Sequence, residues 1–158
     1  QDNISSIQKF VPKLYSLNAR LILCTNLETL DKELFKEWPV NLLQWEEEIN
    51  FSPHNLGSFM ILSHDQDKSA LYKSNNKMVL AILSGFIPIV SNTPEYKDLA
   101  KLLGLEFLIY NHVDEIESIV SHCSSIDWKK TLQDCQAQLQ QTYSSKAVFQ
   151  QFLNQILI

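Results

Sequence analysis

Three lysines, Lys68, Lys73 and Lys77, gather in one short stretch of a chain whose formal net charge is −5. The same stretch holds Ser74, a residue type suited to capping a helix start. From Ser74 to Ser84 the apolar residues recur with helical spacing, and Gly85 closes the run. Lys77 therefore falls in a first helical turn. The helix macrodipole favours anions at that end, so a lysine there is misplaced unless an anion sits beside it. Unpaired N–H groups, the dipole and an ammonium together make a phosphate-binding corner. The bland alternative is a solvated lysine on a surface helix.

A second corner of the same kind is Asn92-Thr93-Pro94. Thr93 suits the N-cap, Pro94 the first helical position and Glu95 the acid-favouring first turn. Other chemistry-bearing residues give weaker patterns. Asp65-Gln66-Asp67 could hold a divalent cation against a diphosphate, but so short a motif arises by chance, and no metal is expected. Glu46-Glu47-Glu48 reads as a solvated helix start. His54, His64, His112 and His122 do not fall at metal-ligand spacings. No GxSxG, P-loop or HExxH motif is present.

The elements that must hold these corners alternate along the chain. Helical spacing marks Ile4–Leu17, followed by a compact apolar strand, Arg20–Thr25. Leu27–Trp38 reads as helical and stops before Pro39. Strands are expected at Val40–Trp45 and Ser58–Leu62, with a short helix or loop over Glu46–Leu56 between them. After the Ser74–Ser84 helix come a strand, Ile87–Ser91, and a helix from Thr93 to Leu103 that ends at Gly104. A strand is expected at Glu106–Tyr110, and helices at Val113–His122, Asp127–Tyr143 and Lys146–Leu157. Strand and helix in alternation, with short connections, specify an α/β fold with a mainly parallel, doubly wound sheet and C-terminal helices. Ligands of such sheets bind outside the carboxyl ends of the strands, where both corners lie.

With 158 residues, 45% of them hydrophobic, the chain can bury one ordinary core. It reads as a single domain, residues 1–158. It opens on a helix where a doubly wound domain opens on a strand, so it is expected to be a fragment of a longer chain. An acidic balance argues against binding along a nucleic-acid backbone. Three cysteines, Cys24, Cys123 and Cys135, form no CxxC pair and fit a reducing cytoplasm. No apolar run reaches the ~20 residues of a membrane span.

Taken as a string, Lys73-Ser74-Asn75-Asn76-Lys77, then Met78 through Gly85-Phe86-Ile87-Pro88-Ile89-Val90-Ser91, then Thr93-Pro94-Glu95-Tyr96, resembles the donor-binding segment of GT-B glycosyltransferases. It is most similar to bacterial surface-polysaccharide members. In that family a helix starting with Asn-Lys or Asn-Arg ends at a Gly, and a Pro-containing apolar strand follows. The likeness covers most of Arg20–Tyr110 and is sharp over Lys73–Tyr96.

The resemblance implies a Rossmann-like half of a GT-B fold that binds a nucleotide-diphospho-sugar for glycosyl transfer. Lys77 would pair with the diphosphate. Lys73, Ser74, Asn75 and Asn76 would contact phosphate or sugar hydroxyls. Thr93, Glu95 and Tyr96 would line the same pocket, and Trp45 would lie near the nucleobase. Each has a plainer alternative: Trp45 as a core or rim aromatic, Tyr96 as packing, Glu95 as a first-turn acid. No catalytic residue is assigned. An N-terminal domain elsewhere in the parent chain would bring the acceptor, and the isolated half is expected to be inactive. The location implied is cytoplasmic, or peripheral to the membrane through the rest of the chain.

Two departures from the family stand out. Many members carry a ribose-binding Glu three residues after the lysine, where this chain has Leu80, expected on the helix's apolar face. The family's early Gly-rich turn is replaced by Cys24-Thr25-Asn26. Alternatives are therefore a GT-B-like nucleotide-sugar epimerase, or a non-catalytic Rossmann-like domain that has lost its donor site. A phosphoacceptor or flavin-binding α/β domain lacks its required acidic cluster or phosphate loop.

Overall fold

The computed structural model describes residues 8–25, 27–28, 30–37, 40–44, 58–63 and 74–143. In chain order the elements are α1 (Val11–Ser16), β1 (Leu21–Thr25), a 3₁₀ turn at Lys32–Phe35, β2 (Val40–Gln44) and β3 (Phe59–Leu62). Then follow α2 (Asn76–Leu83), β4 (Ile87–Ser91), α3 (Pro94–Leu103) and a 3₁₀ turn at Glu106–Leu108. β5 (Ile109–Tyr110), a 3₁₀ turn at Val113–Glu115, α4 (Ile116–Cys123) and α5 (Trp128–Tyr143) complete them.

Every described strand pairing is parallel, as the alternation of elements requires. β1 pairs with β2, Leu21 opposite Val40 and Thr25 opposite Gln44. β3, β4 and β5 form a second sheet in that order, with Phe59 opposite Ile87 and Ser91 opposite Tyr110. The described residues thus make two small parallel sheets, where the sequence suggested one.

All five residues of β4 are buried, so both of its faces are covered. A proline inside a central strand normally breaks the ladder. Here Ile87 N donates to Ser58 O at 2.9 Å, which turns the backbone groups of alternate residues from Ile87 towards β3. Pro88 faces the other side, where β5 has not begun: the ladder with β5 starts at Val90. The missing N–H is therefore not needed.

One core joins α1, α2, the β3–β5 sheet, α3, α4 and α5. Met78, Ile82, Ile89, Val90, Tyr96, Leu99, Leu108, Ile116 and Leu139 are almost completely buried in it. Each such side chain contributes on the order of 1.5–3 kcal/mol. A smaller core packs Val11, Leu23, Leu30 and Phe35 beneath the β1–β2 pair. Leu21 packs against both.

Several expectations need correction. The helix expected over Leu27–Trp38 is only the 3₁₀ turn Lys32–Phe35, started by Asp31, whose carboxylate accepts from Glu33 N at 3.1 Å. The buried Leu30 and Phe35 stand five apart and trace no helical face. Glu106–Tyr110 starts as a 3₁₀ turn and becomes a strand only at Ile109. The Val113 helix opens as 3₁₀ and turns α-helical at Ile116. The helix expected at Ile4–Leu17 is interrupted: Gln8 is helical, Lys9 and Phe10 form a turn, and α1 begins at Val11, while residues 1–7 lie outside the described residues. The expected helix at Lys146–Leu157 and the segment Glu46–Leu56 lie outside the described residues.

α5 fixes the far ends of two other helices. Gln136 Nε2 donates to Ile82 O at 2.9 Å and to Leu83 O at 3.4 Å, at the end of α2. Gln138 Nε2 donates to Leu102 O at 2.9 Å, near the end of α3. Helix ends leave their last carbonyls without helical partners, and these amides add bonds there, Ile82 O also accepting from Gly85 N at 3.0 Å. α5 then runs back along α2 until Tyr143 meets Asn75 at the opposite end.

Candidate functional site: two strand-to-helix junctions

Two helices follow strands of the β3–β5 sheet, α2 after β3 and α3 after β4, and their starts are built differently. After β4, Thr93 is an extended N-cap (φ −109°, ψ 155°) whose hydroxyl accepts from Tyr96 N at 3.4 Å. Pro94 occupies the first helical position and Glu95 the first turn. The helix ends at Gly104 in the left-handed region (φ 68°), and Leu105 N donates back to Ala100 O at 2.8 Å. This junction is closed: Thr93 is buried and Tyr96 completely so. Burial, and next the Tyr110 phenol, push the Tyr96 hydroxyl up to about 12. Tyr96 is thus a buried phenol of the core. Glu95 is exposed.

Among the described residues the start of α2 is uncapped. Its N-cap is Asn75, not Ser74 as the sequence suggested. Asn75 has φ −79° and ψ 4°, outside the extended region, and its side chain caps nothing. Met78 N and Val79 N both donate to Asn75 O, at 2.9 and 3.1 Å. Among the described residues, no group accepts from Asn76 N or Lys77 N. The Asn75 amide instead donates to Tyr143 Oη at 3.0 Å. Ser74, Asn76 and Lys77 are exposed, and no described carboxylate forms an ion pair with Lys77. Met78, Ala81 and Ile82 turn inward.

Leu80, expected on the apolar face, is 47% exposed. Residues three apart share a helix face, so Leu80 stands beside Lys77 on the exposed one. Trp45 and Lys73 lie outside the described residues, as do Asp65, Asp67 and Lys68.

Asn92, from the second corner, and Asn111 and Glu115, which the sequence did not single out, join the two neighbouring strand ends. Asn92 N extends the ladder to Tyr110 O at 3.1 Å, and Asn92 Nδ2 donates to Asn111 Oδ1 at 2.6 Å. Asn111 N in turn donates to Glu115 Oε2 at 2.8 Å. The available signal was positional: Asn92 and Asn111 each follow the last residue of a strand.

Nearby, Lys13 reaches Glu117 at 2.7 Å and ties α1 to α4. The hydrogen bond to Glu117 raises the Lys13 ammonium above its usual range, against a smaller opposing effect of burial. Among the described residues no group of three or more His, Cys, Asp or Glu could hold a metal ion, and no helix is long and apolar enough to cross a membrane.

The arrangement defines an α/β protein with two small parallel sheets. No protein-family model, curated protein or solved structure matches the chain.

Proposed function

We propose that the chain is the donor-binding half of a GT-B-type glycosyltransferase, holding a nucleotide-diphospho-sugar at the start of α2. One observation supports this above the others. The helix that follows β3 begins with amides no described side chain caps, and it carries an exposed lysine in the same turn. A diphosphate would accept from the amides of Asn76 and Lys77 and pair with the Lys77 ammonium. Ser74, Asn76 and Lys73 would reach phosphate or sugar hydroxyls. Glu95 would line the pocket from α3, with Thr93 and Tyr96 holding that turn in place, and Trp45 would lie near the base. As the glycosyl bond breaks, charge grows on the leaving diphosphate, and the same amides and ammonium would stabilise it.

The fold belonging to this reading is one doubly wound sheet in the order β2-β1-β3-β4-β5. Its order would reverse between β1 and β3, which is where such sheets bind ligands. The packing supports it: Leu21 of β1 touches both cores, and α1 with its N-cap Phe10 places Val11 in one and Phe10 and Leu14 in the other. The acceptor would come on a second domain of the parent chain.

Calorimetry with UDP, GDP and dTDP tests the assignment, with Lys77→Ala as control. Binding of one nucleotide, weakened at least tenfold by Lys77→Ala, is the expected result. No binding, or binding indifferent to Lys77, removes the reading. The second reading, a Rossmann-like domain that has lost its donor site, is favoured by Leu80. An exposed leucine beside Lys77 cannot accept a ribose hydroxyl. It expects no heat with any of the three nucleotides.

A further inference from the structure

We propose that Asn75 is a two-position switch, with Tyr143 at the end of α5 and the first turn of α2 competing for its side chain. In the position seen, Asn75 Nδ2 donates to Tyr143 Oη at 3.0 Å and the helix start has no side-chain cap. In the other, Asn75 Oδ1 accepts from Lys77 N, which has no acceptor among the described residues, as asparagines at helix starts ordinarily do.

The protein holds its own reference for that second position. Thr93 caps α3 from an extended backbone, ψ 155°, whereas Asn75 sits at ψ 4°. Capping by Asn75 therefore requires its ψ to swing towards the extended region, which redirects Ser74 relative to α2. The bond to Tyr143 holds ψ where it is. Both side chains are partly open to solvent, Tyr143 at 41%, so no core packing has to break for the change.

The two bonds are nearly interchangeable in strength. A side-chain cap and an exposed neutral hydrogen bond are each worth a few-fold in an equilibrium constant. When the last turn of α5 lifts, the lost Tyr143 bond is offset by a gained cap. The end of α5 is thus a latch whose release redirects Ser74 relative to α2. The other anchors of α5, Gln136 on Ile82 and Leu83 and Gln138 on Leu102, lie at the far end of α2 and α3 and stay closed. The switch does not depend on the donor-site reading, and its test needs no ligand.

The experiment follows amide hydrogen exchange at Lys77 by NMR. Tyr143→Phe keeps the ring and removes the hydroxyl. It frees Asn75 to cap, and exchange at Lys77 slows about fivefold, the worth of one cap. In Tyr143→Phe/Asn75→Ala the gain disappears. Asn75→Ala alone leaves Lys77 exchange at the wild-type rate, because no cap existed to be lost, and this variant keeps the question answerable if Tyr143→Phe does not fold. Unchanged exchange in Tyr143→Phe, an equal change in both backgrounds, or faster exchange in Asn75→Ala overturns the proposal.

Discussion

Asn92 and Asn111 meet side chain to side chain, Nδ2 to Oδ1 at 2.6 Å, across the carboxyl ends of β4 and β5. The contact prolongs a ladder that ends with Asn92 N on Tyr110 O. β5 has two residues only, so the sheet edge depends on such side-chain bonds more than a longer strand would. Glu115 holds the far side by accepting from Asn111 N. A chain of three polar residues thus braces the edge where the second junction begins.

A double-mutant cycle with Asn92→Ala and Asn111→Ala measures that brace. The bond is solvent-exposed and neutral, so the expected coupling is about 0.5–1 kcal/mol in chemical unfolding. Asn111→Ala keeps the backbone N–H that Glu115 accepts, so the loss belongs to the side chain. Additive single effects would mean that the contact adds nothing to stability.

The two ends of α3 should respond differently to substitution. Thr93→Ala removes the hydroxyl that accepts from Tyr96 N and should cost about 1 kcal/mol. Thr93→Ser should retain most of it. Gly104 has φ 68°, and a Cβ there would meet nothing within 4 Å. Gly104→Ala therefore costs only the left-handed backbone, about 1 kcal/mol. Denaturant midpoints at unchanged m-value check both.

The β4–α3 unit was legible almost to the residue, because Ile87–Ser91, Thr93-Pro94 and Gly104 carry strong local signals that packing does not override. The N-cap at Asn75 was not. Ser74 has the better chemistry for a cap, but the contact with Tyr143, 68 positions away, decides where the Asn75 side chain goes. Leu80 was misplaced for a related reason. The inward face of α2 is set by Met78, Ala81 and Ile82, and a neighbouring leucine looks equally apolar in sequence. Alternation of elements gave parallel pairing but not the division into two sheets, since strand order is a long-range property. Tyr143 and Asn111 had no sequence signal beyond position.

Alkaline pH should destabilise the fold in a defined window. Burial raises the Cys123 thiol from 9.0 to about 11 and is the leading cause that raises Tyr96 from 10.0 to about 12. Cys24 and Cys135 move in the same direction, again first through burial. In each case the native state keeps a proton that the unfolded chain gives up. Stability from these groups is whole below pH 9, falls as the unfolded chain ionises, and is gone above the folded values. Cys123→Ala should cost stability at pH 7 by opening a small cavity, yet flatten the fall between pH 9 and 11 by about 1–3 kcal/mol. Unfolding curves across that range check the slope. The same raised thiols predict slow alkylation of Cys123 and Cys135 in the native state, with rates that rise only under denaturant.

Charge reversal at Lys77 separates a ligand site from an ordinary surface position. In the ligand-free protein the first turn of α2 holds a cation against the positive end of the dipole, with no described acid beside it. Lys77→Glu should therefore stabilise the free protein, by about 0.3–1 kcal/mol at low salt, with the gain shrinking as salt rises. The same change places a carboxylate where the diphosphate would sit, so nucleotide binding should be lost outright. A stabilised variant that no longer binds would mean that the lysine is kept for a ligand at the expense of the fold. A stabilised variant of a protein that binds no nucleotide would leave Lys77 as a solvated side chain. If Lys77→Glu destabilises, the helix start already has an anion-like partner, and the open N-terminus on which the donor-site reading depends does not exist.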